Sequence, residues 1–319
     1  MILVSNELII VNMRLYFIYI YFLLFLVNVN AQICNGKKAI LIEEAICNTN
    51  DWVLQFEDNF ETSHLDTSKW SIPYQGVIRD FEFNKEKQWY INTGSSPKIE
   101  LINNIELVNG VLRIIGKREI PAIKGSYVSN FDVTPWKVEN EIFDFSSAQI
   151  ASQAEFGYGK YEARCKIPKG YGFWPAFWLY GVVGNNASEI DIFEFWDDNT
   201  CNHNMNVHFN HKMCLTDYNA SDFSEDFHLY TVIWDNFKIE WYVDGNLKRR
   251  NTKFNTMLGQ QLDCEQLKKD QTYIVDKNYP LEKMNIILNL AIQNDKYKPN
   301  ESTVFPGVFE IDYVRYYSK

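Results

Sequence analysis

From about residue 50 onward, short apolar runs of strand length follow one another, separated by turn residues. They include "WVLQFEDNF", "IELVNGVLRIIGKRE", "GKYEARCKI", "FWPAFWLYG", "EIDIFEFW", "MNVHFN", "LYTVIWDNFKIEWYVDGNLKRR", "MNIILNLAIQ" and "FEIDYVRYY". Asn109-Gly110 and Asp244-Gly245 fall inside two of these runs and predict hairpin turns, because both residue types tolerate positive φ. Helical periodicity is nearly absent; the best stretch lies around Asp263 to Lys269. There is no β-α-β alternation, internal repeat or low-complexity linker. The pattern predicts one all-β domain over residues 50–319, a sandwich of two antiparallel sheets.

In "KYEARCKI", Tyr161, Ala163, Cys165 and Ile167 alternate with Glu162, Arg164 and Lys166, as expected for a strand buried on one face. "SEIDIFEFWDD" breaks that rule. Glu189 and Asp191 are two apart and share a face, whereas Glu194 is three further on and belongs to the other. A β-bulge at Ile192-Phe193 would restore a single acidic face and keep both Ile190 and Phe195 pointing to the core.

Three carboxylates so close raise the pKa of at least one of them. Retaining glycoside hydrolysis needs that situation: an ionised nucleophile and a protonated acid roughly 5–5.5 Å apart. Glu189 suits the nucleophile, Glu194 the acid/base, and Asp191 a group that shares a proton with the nucleophile. Solvated surface acids are the plainer reading; a calcium site would take its roughly six to eight oxygens mainly from loops. The segment just upstream, "GYGFWPAFWLYG", favours the hydrolase. Alternation puts Trp174 and Trp178 on one face, where indoles can stack on sugar rings, and Phe177 on the other, although each Trp also suits a core.

With 46% hydrophobic residues, nine Trp, 19 Tyr and 22 Phe, the chain can bury a large core. A net charge of −10 argues against nucleic acid and anionic membranes as partners. Residues 1–31 read as a secretory signal ending in Val29-Asn30-Ala31, with Met13 an alternative start and an uncleaved anchor the competing reading. The expected location is extracellular, or periplasmic in a bacterium. There the six cysteines suggest disulfides, and Cys34–Cys47 and Cys201–Cys214 are the local candidates, beside burial as free thiols. The first pair would staple the short segment 32–49. Asn186, Asn219 and Asn300 begin glycosylation sequons.

The chain resembles glycoside hydrolase family 16, in particular its laminarinases, the endo-β-1,3-glucanases. The likeness runs through "FGYGKYEARCKIPKGYGFWPAFWLYG", "EIDIFEFW", "NMNVHFN", "FHLYTVIWDNFKIEWYVDG" and "FEIDYVRYYSK". The resemblance implies a β-jelly-roll with a concave substrate cleft. It also implies Glu189 as nucleophile, Asp191 as its assistant, Glu194 as acid/base, and Trp174 and His208 facing the cleft. No cofactor is implied for catalysis, but a structural calcium is, at positions matching Glu57 and Asp312. Two regions depart from the family pattern: Gln293 and Asn294 stand where glycines are common, and residues 74–98 match only at Trp89-Tyr90.

The expected protein is thus a secreted monomer, an endo-acting retaining hydrolase of neutral β-1,3-glucan of the laminarin type, with β-1,3-1,4-glucan as a secondary substrate. The alternatives are a sulfated-galactan hydrolase or a non-catalytic glucan-binding protein on the same fold. Retention of all three acids weighs against the latter. From Tyr171 to His211 there is no Lys or Arg, which weighs against a polyanion; Arg79, Lys85 and Lys87 in the unmatched loop are the reservation.

Overall fold

The computed structural model describes residues 37–41, 51–72, 85–90, 104–129, 137–184, 186–196, 199–209, 212–213, 216–219 and 222–319. The expected signal segment, the Cys34–Cys47 pair and Arg79 lie outside them. No helix among the described residues is long and apolar enough to cross a membrane.

Two sheets, antiparallel except where Gln88–Tyr90 pairs in parallel with Lys137–Ser147, face each other. In the first, of eight strands among the described residues, Asn186–Glu194 lies between Phe173–Val183 and Asn202–Phe209, and Asn285–Ile292 follows on the far side of Phe173–Val183. The second, of ten, runs Asn246–Thr252, Lys238–Val243, His228–Trp234, Gly159–Lys166, Gly307–Ser318 and on to Val111–Ser129. The alternation in "KYEARCKI" appears as expected: Tyr161, Ala163 and Cys165 are buried, and the residues between them are half-buried.

Phe177, Leu179, Ile190, Phe193 and Leu288 from the first sheet meet Tyr161, Tyr230, Trp241, Phe309 and Ile311 from the second in one core. Each such side chain taken from water is worth roughly 1.5–3 kcal/mol, which makes this interface the main support of the fold. Because the inner faces are consumed by this packing, a site open to a polysaccharide must sit on an outer face.

Both expected hairpins form. Asn109 and Gly110 have φ of 54° and 74°, and Asp244 and Gly245 have 50° and 75°, the conformation that makes a two-residue turn follow the strand twist. The expected helix is reduced to one 3-10 turn, Cys264–Gln266, in which Gln266 Oε1 accepts from the Asp263 backbone N–H at 2.8 Å.

The two-sheet expectation missed a small third sheet: Lys37–Leu41 pairs with Thr272–Asp276, which pairs with Phe254–Asn255 and through it Gln261–Leu262. Strands of two residues are too short for a periodicity to be read. Phe237, Phe254, Leu262, Cys264, Leu267 and Tyr273 form a separate apolar cluster there.

The cysteine expectation needs correction. Cys201 is a free thiol, so Cys201–Cys214 does not form. Cys264 is disulfide-bonded, to a cysteine outside the described residues.

Candidate active site

The three acids lie on the Asn186–Glu194 strand, and the bulge that their spacing called for is present. Against Phe173–Val183, Asp191 pairs with Trp178 and Phe193 with Phe177, leaving Ile192 as an extra residue. Against Asn202–Phe209, Asp191 pairs with Asn206 and Glu194 with Asn204, so that Ile192 and Phe193 together face Met205. Both bulge residues are fully buried in the inter-sheet core, as are Ile190 and Phe195. With two successive side chains turned inward, Glu189, Asp191 and Glu194 all emerge on the outer face.

Each acid has a polar neighbour on the adjacent strand: Glu189 stands opposite His208, Asp191 opposite Asn206 and Glu194 opposite Asn204. His208 Nε2 is 3.5 Å from Glu189 Oε1 and 3.3 Å from Asp191 Oδ2, and the Asn206 amide nitrogen lies 2.8 Å from the same His208 nitrogen. Trp174 Nε1 donates to Glu194 Oε1 at 3.1 Å. Trp178 Nε1 donates to Asn289 Oδ1 at 2.8 Å, and Asn289 Nδ2 in turn donates to Tyr90 Oη at 2.9 Å. The rings of Trp174 and Trp196 are 6.2 Å apart, and those of Trp178 and Tyr180 5.9 Å, giving the outer face an aromatic floor beside the acids.

Burial, then the charges of Asp191 and Glu194, push the Glu189 carboxyl well above the usual range. Burial, then the Asp191 charge, raises Glu194 in the same way, with the Trp174 N–H pulling in the opposite direction. The cluster as a whole therefore keeps a proton at a pH where isolated carboxyls have lost theirs. Histidine distinguishes the two glutamates: His208 stands next to Glu189 and Asp191, at the end of the cluster away from Glu194.

Sequence reasoning thus identified Glu189, Asp191, Glu194, Trp174, Trp178 and His208, and the structure brings all six onto one face. It passed over Asn204, Asn206 and Asn289. The period-two run Asn202, Asn204, Asn206, His208 in "NHNMNVH" was a readable sign that this strand also turns a polar face outward.

Glu57 and Asp312 do not fit the calcium that the resemblance implied. Glu57 Oε1 accepts from Arg315 Nε at 2.6 Å and Asp312 Oδ2 from Arg164 Nη1 at 2.8 Å. Each carboxylate already faces a guanidinium, whereas calcium needs a shell of about six to eight oxygens. Among the described residues, the group whose ligand atoms do converge, within 4.8 Å, is Glu189, Asp191 and His208, and a cation there would occupy the reacting carboxylates themselves.

The two departures from the family pattern meet in one place. Gln293 forms a bridge with Glu86, Asn294 N donates to Lys85 O, and Gln88 Oε1 accepts from Ile292 N. These contacts fasten residues 85–90 to the end of the Asn285–Ile292 strand, beside the aromatic floor.

An all-β sandwich with three carboxylates brought together by a bulge defines the class, and comparison with known proteins agrees. The model for glycosyl hydrolases family 16 matches residues 127–314, more than half of the chain, and the protein belongs to that family. It is 27% identical over 277 residues to the endo-1,3-1,4-beta-glycanase ExsH of Rhizobium meliloti, covering 82% of this chain and 51% of the relative. It is also 27% identical over 288 residues to the glucan endo-1,3-beta-glucosidase A1 of Niallia circulans, covering 83% and 38%. The chain thus spans about half or less of the length of these two relatives. Among solved structures, the catalytic domain of an endo-1,3-beta-glucanase (laminarinase) from Thermotoga petrophila is 26% identical with a TM-score of 0.61, covering 85% of this chain and 99% of that one. The endo-beta-1,3-glucanase from Pyrococcus furiosus is 28% identical with a TM-score of 0.59, covering 84% and 94%. The fold is the jelly-roll of those laminarinases.

Proposed function

We propose that the protein is a secreted, retaining endo-hydrolase of neutral β-1,3-glucan, with β-1,3-1,4-glucan a secondary substrate. The observation that carries the chemistry is the bulge at Ile192, which puts Glu189, Asp191 and Glu194 on one face beside Trp174 and Trp178. The glucanase relatives support a β-glucan as substrate.

In the proposed reaction, Glu194 gives its proton to the glycosidic oxygen as Glu189 attacks the anomeric carbon, forming a glycosyl ester and releasing the leaving chain. Glu194 then takes a proton from water, which cleaves the ester and regenerates Glu189 with net retention. Attack requires Glu189 to be anionic. Asp191 hydrogen-bonds to Glu189, and His208 Nε2 lies against both carboxylates and fixes their orientation. Retention is supported by the two carboxylates lying on one strand with a single bulge between them, because a retaining pair stands only roughly 5–5.5 Å apart.

The reading is tested by incubating laminarin with the protein and following reducing ends and anomeric signals. β-Anomers should appear first. Glu189→Gln should lose turnover by a factor on the order of 10³ or more while still binding laminari-oligosaccharides, because the stacking groups remain. Initial α-anomers would refute retention, and near-native turnover by Glu189→Gln would refute the nucleophile.

A further inference from the structure

We propose that Trp241, His203 and Arg249 are positioning residues that clamp the back of the bulged strand, and that Arg249 is the buried counter-charge to the carboxylates on its front. This rests on the roles just proposed for Glu189, Asp191 and Glu194.

A bulge takes backbone groups out of the ladder, and a buried carbonyl left without a donor costs about 1–3 kcal/mol. Three carbonyls at this bulge are each met by a side chain from behind. Asp191 O accepts from Trp241 Nε1 at 2.8 Å. Ile192 O lies 3.0 Å from His203 Nε2, and because a carbonyl can only accept, that nitrogen carries the proton. The carbonyl of Met205, the single residue facing the bulged pair, accepts from Arg249 Nη1.

Trp241 and Arg249 reach across the core from the second sheet, where they are register partners. Arg249 points inward because its own strand is bulged too. Trp241 pairs with Arg249 but Tyr242 pairs with Leu247, leaving Lys248 as the extra residue. Unbroken alternation would give Leu247 and Arg249 the same face; instead Leu247 is 45% exposed and Arg249 6%. One bulge turns the acids outward, and a second, in the opposite sheet, turns a cation in behind them.

The guanidinium also lies 4.6 Å from the centre of the Trp241 ring, and its Nε donates to Asn251 Oδ1 at 3.2 Å. Burial lowers the pKa of this guanidinium to about 10, with Asp191 on the other side of the strand acting in the opposite direction. His203 is held by a stack on Phe195 at 5.7 Å and by edge contacts with Phe223 and Tyr230. Burial lowers its pKa to about 4, so its ring stays neutral and keeps donating to Ile192 at working pH.

Catalysis depends on the separation of Glu189 and Glu194, and a misplacement of about 1 Å costs on the order of 10²-fold. Among the described residues, the charged and titratable groups facing Glu189 and Asp191 are Glu194 on their own strand, Tyr180 and His208 on the flanking strands, and Arg249 from behind. Removing the Arg249 charge makes the pair harder to ionise, which moves the acidic limb of kcat/KM to higher pH.

The test compares wild type, Arg249→Met, Arg249→Lys and Trp241→Phe on laminarin. Arg249→Met should lower kcat by on the order of 10²-fold with KM within about threefold, and shift the acidic limb upward. Arg249→Lys keeps the charge and should keep the limb while losing part of kcat; Trp241→Phe should lower kcat without moving the limb. A folded Arg249→Met with native kcat and limb would overturn the clamp. If that variant does not fold, native kcat in both Arg249→Lys and Trp241→Phe overturns it.

An activity-independent readout separates this proposal from the roles it rests on. In a double-mutant cycle on thermal unfolding, Asp191→Asn should about halve the Tm loss caused by Arg249→Met, whereas additive losses would reject the counter-charge. Full activity in Glu189→Gln would reject the catalytic roles and leave that cycle unaffected.

Discussion

Glu194 shows how one environment sets a residue's chemistry. Its carboxyl is raised by burial and by Asp191, and the Trp174 indole holds it in place on the outer face. A carboxyl whose folded pKa is raised binds a proton more tightly in the folded than in the unfolded chain. Stability is therefore undiminished below the unfolded value of about 4.3 and falls as pH rises toward the folded value. Glu194→Gln cannot ionise and escapes this loss. It should melt above wild type at neutral pH, by about 2–4 °C for each kcal/mol of relieved repulsion, with the difference closing toward pH 4. With Glu194 in its proposed role, the same substitution should lower laminarin turnover by about 10²–10⁴-fold and flatten the alkaline limb of kcat/KM in the residual activity. Equal melting temperatures at neutral pH would show that the site carries no strain from its charges.

The bulged strand is the element on which the site depends. Phe193 fills the space between the sheets, its ring centre 4.3 Å from that of Tyr230 and 5.8 Å from that of Phe309. That anchoring holds two successive side chains inward and fixes the outward direction of Glu194. Phe193→Ala should cost about 3–5 kcal/mol through lost burial and a cavity. The corresponding fall in Tm is roughly 6–20 °C, measurable by calorimetry. Phe193→Leu, which fills most of the space, should recover most of the loss. A melting temperature within a degree or two of wild type for Phe193→Ala would mean that the ladder alone keeps the bulge.

Across the whole molecule, charge placement bears on substrate. The protein carries a net charge of −10, and among the described residues the outer face around Glu189 and Glu194 is built from acids, amides, aromatics and His208. Lys87, one of the cations in the region that does not match the family, lies 3.9 Å from Asp144 and near the Phe145 ring, which engages it away from the acids. A sulfated chain would bring anions onto a segment, Tyr171 to His211, that has no Lys or Arg to offset their desolvation. Laminarin should accordingly be cleaved well ahead of carrageenan or porphyran at equal concentration, with little response to added salt. Preference for the sulfated polymers, weakened by salt, would place the binding groups among residues 73–84.

Local pattern carried a large part of this. Period-two alternation identified the strands, Asn-Gly and Asp-Gly marked two hairpins, and the three-residue step from Asp191 to Glu194 required a bulge where one is found, because an amphipathic strand leaves no other way to satisfy both faces. What the sequence could not decide depends on partners distant along the chain. The pairing of Lys37–Leu41 with Thr272–Asp276, the free state of Cys201, and the arginines that claim Glu57 and Asp312 are matters of register and proximity, which no local spacing encodes. Arg249 is the sharpest case. In "NLKRR" it reads as a solvated cation like its neighbours; only the slipped register against Trp241 turns it inward, and only the packing of one sheet on the other sets it behind the carboxylates 58 residues earlier in sequence, counting from Asp191.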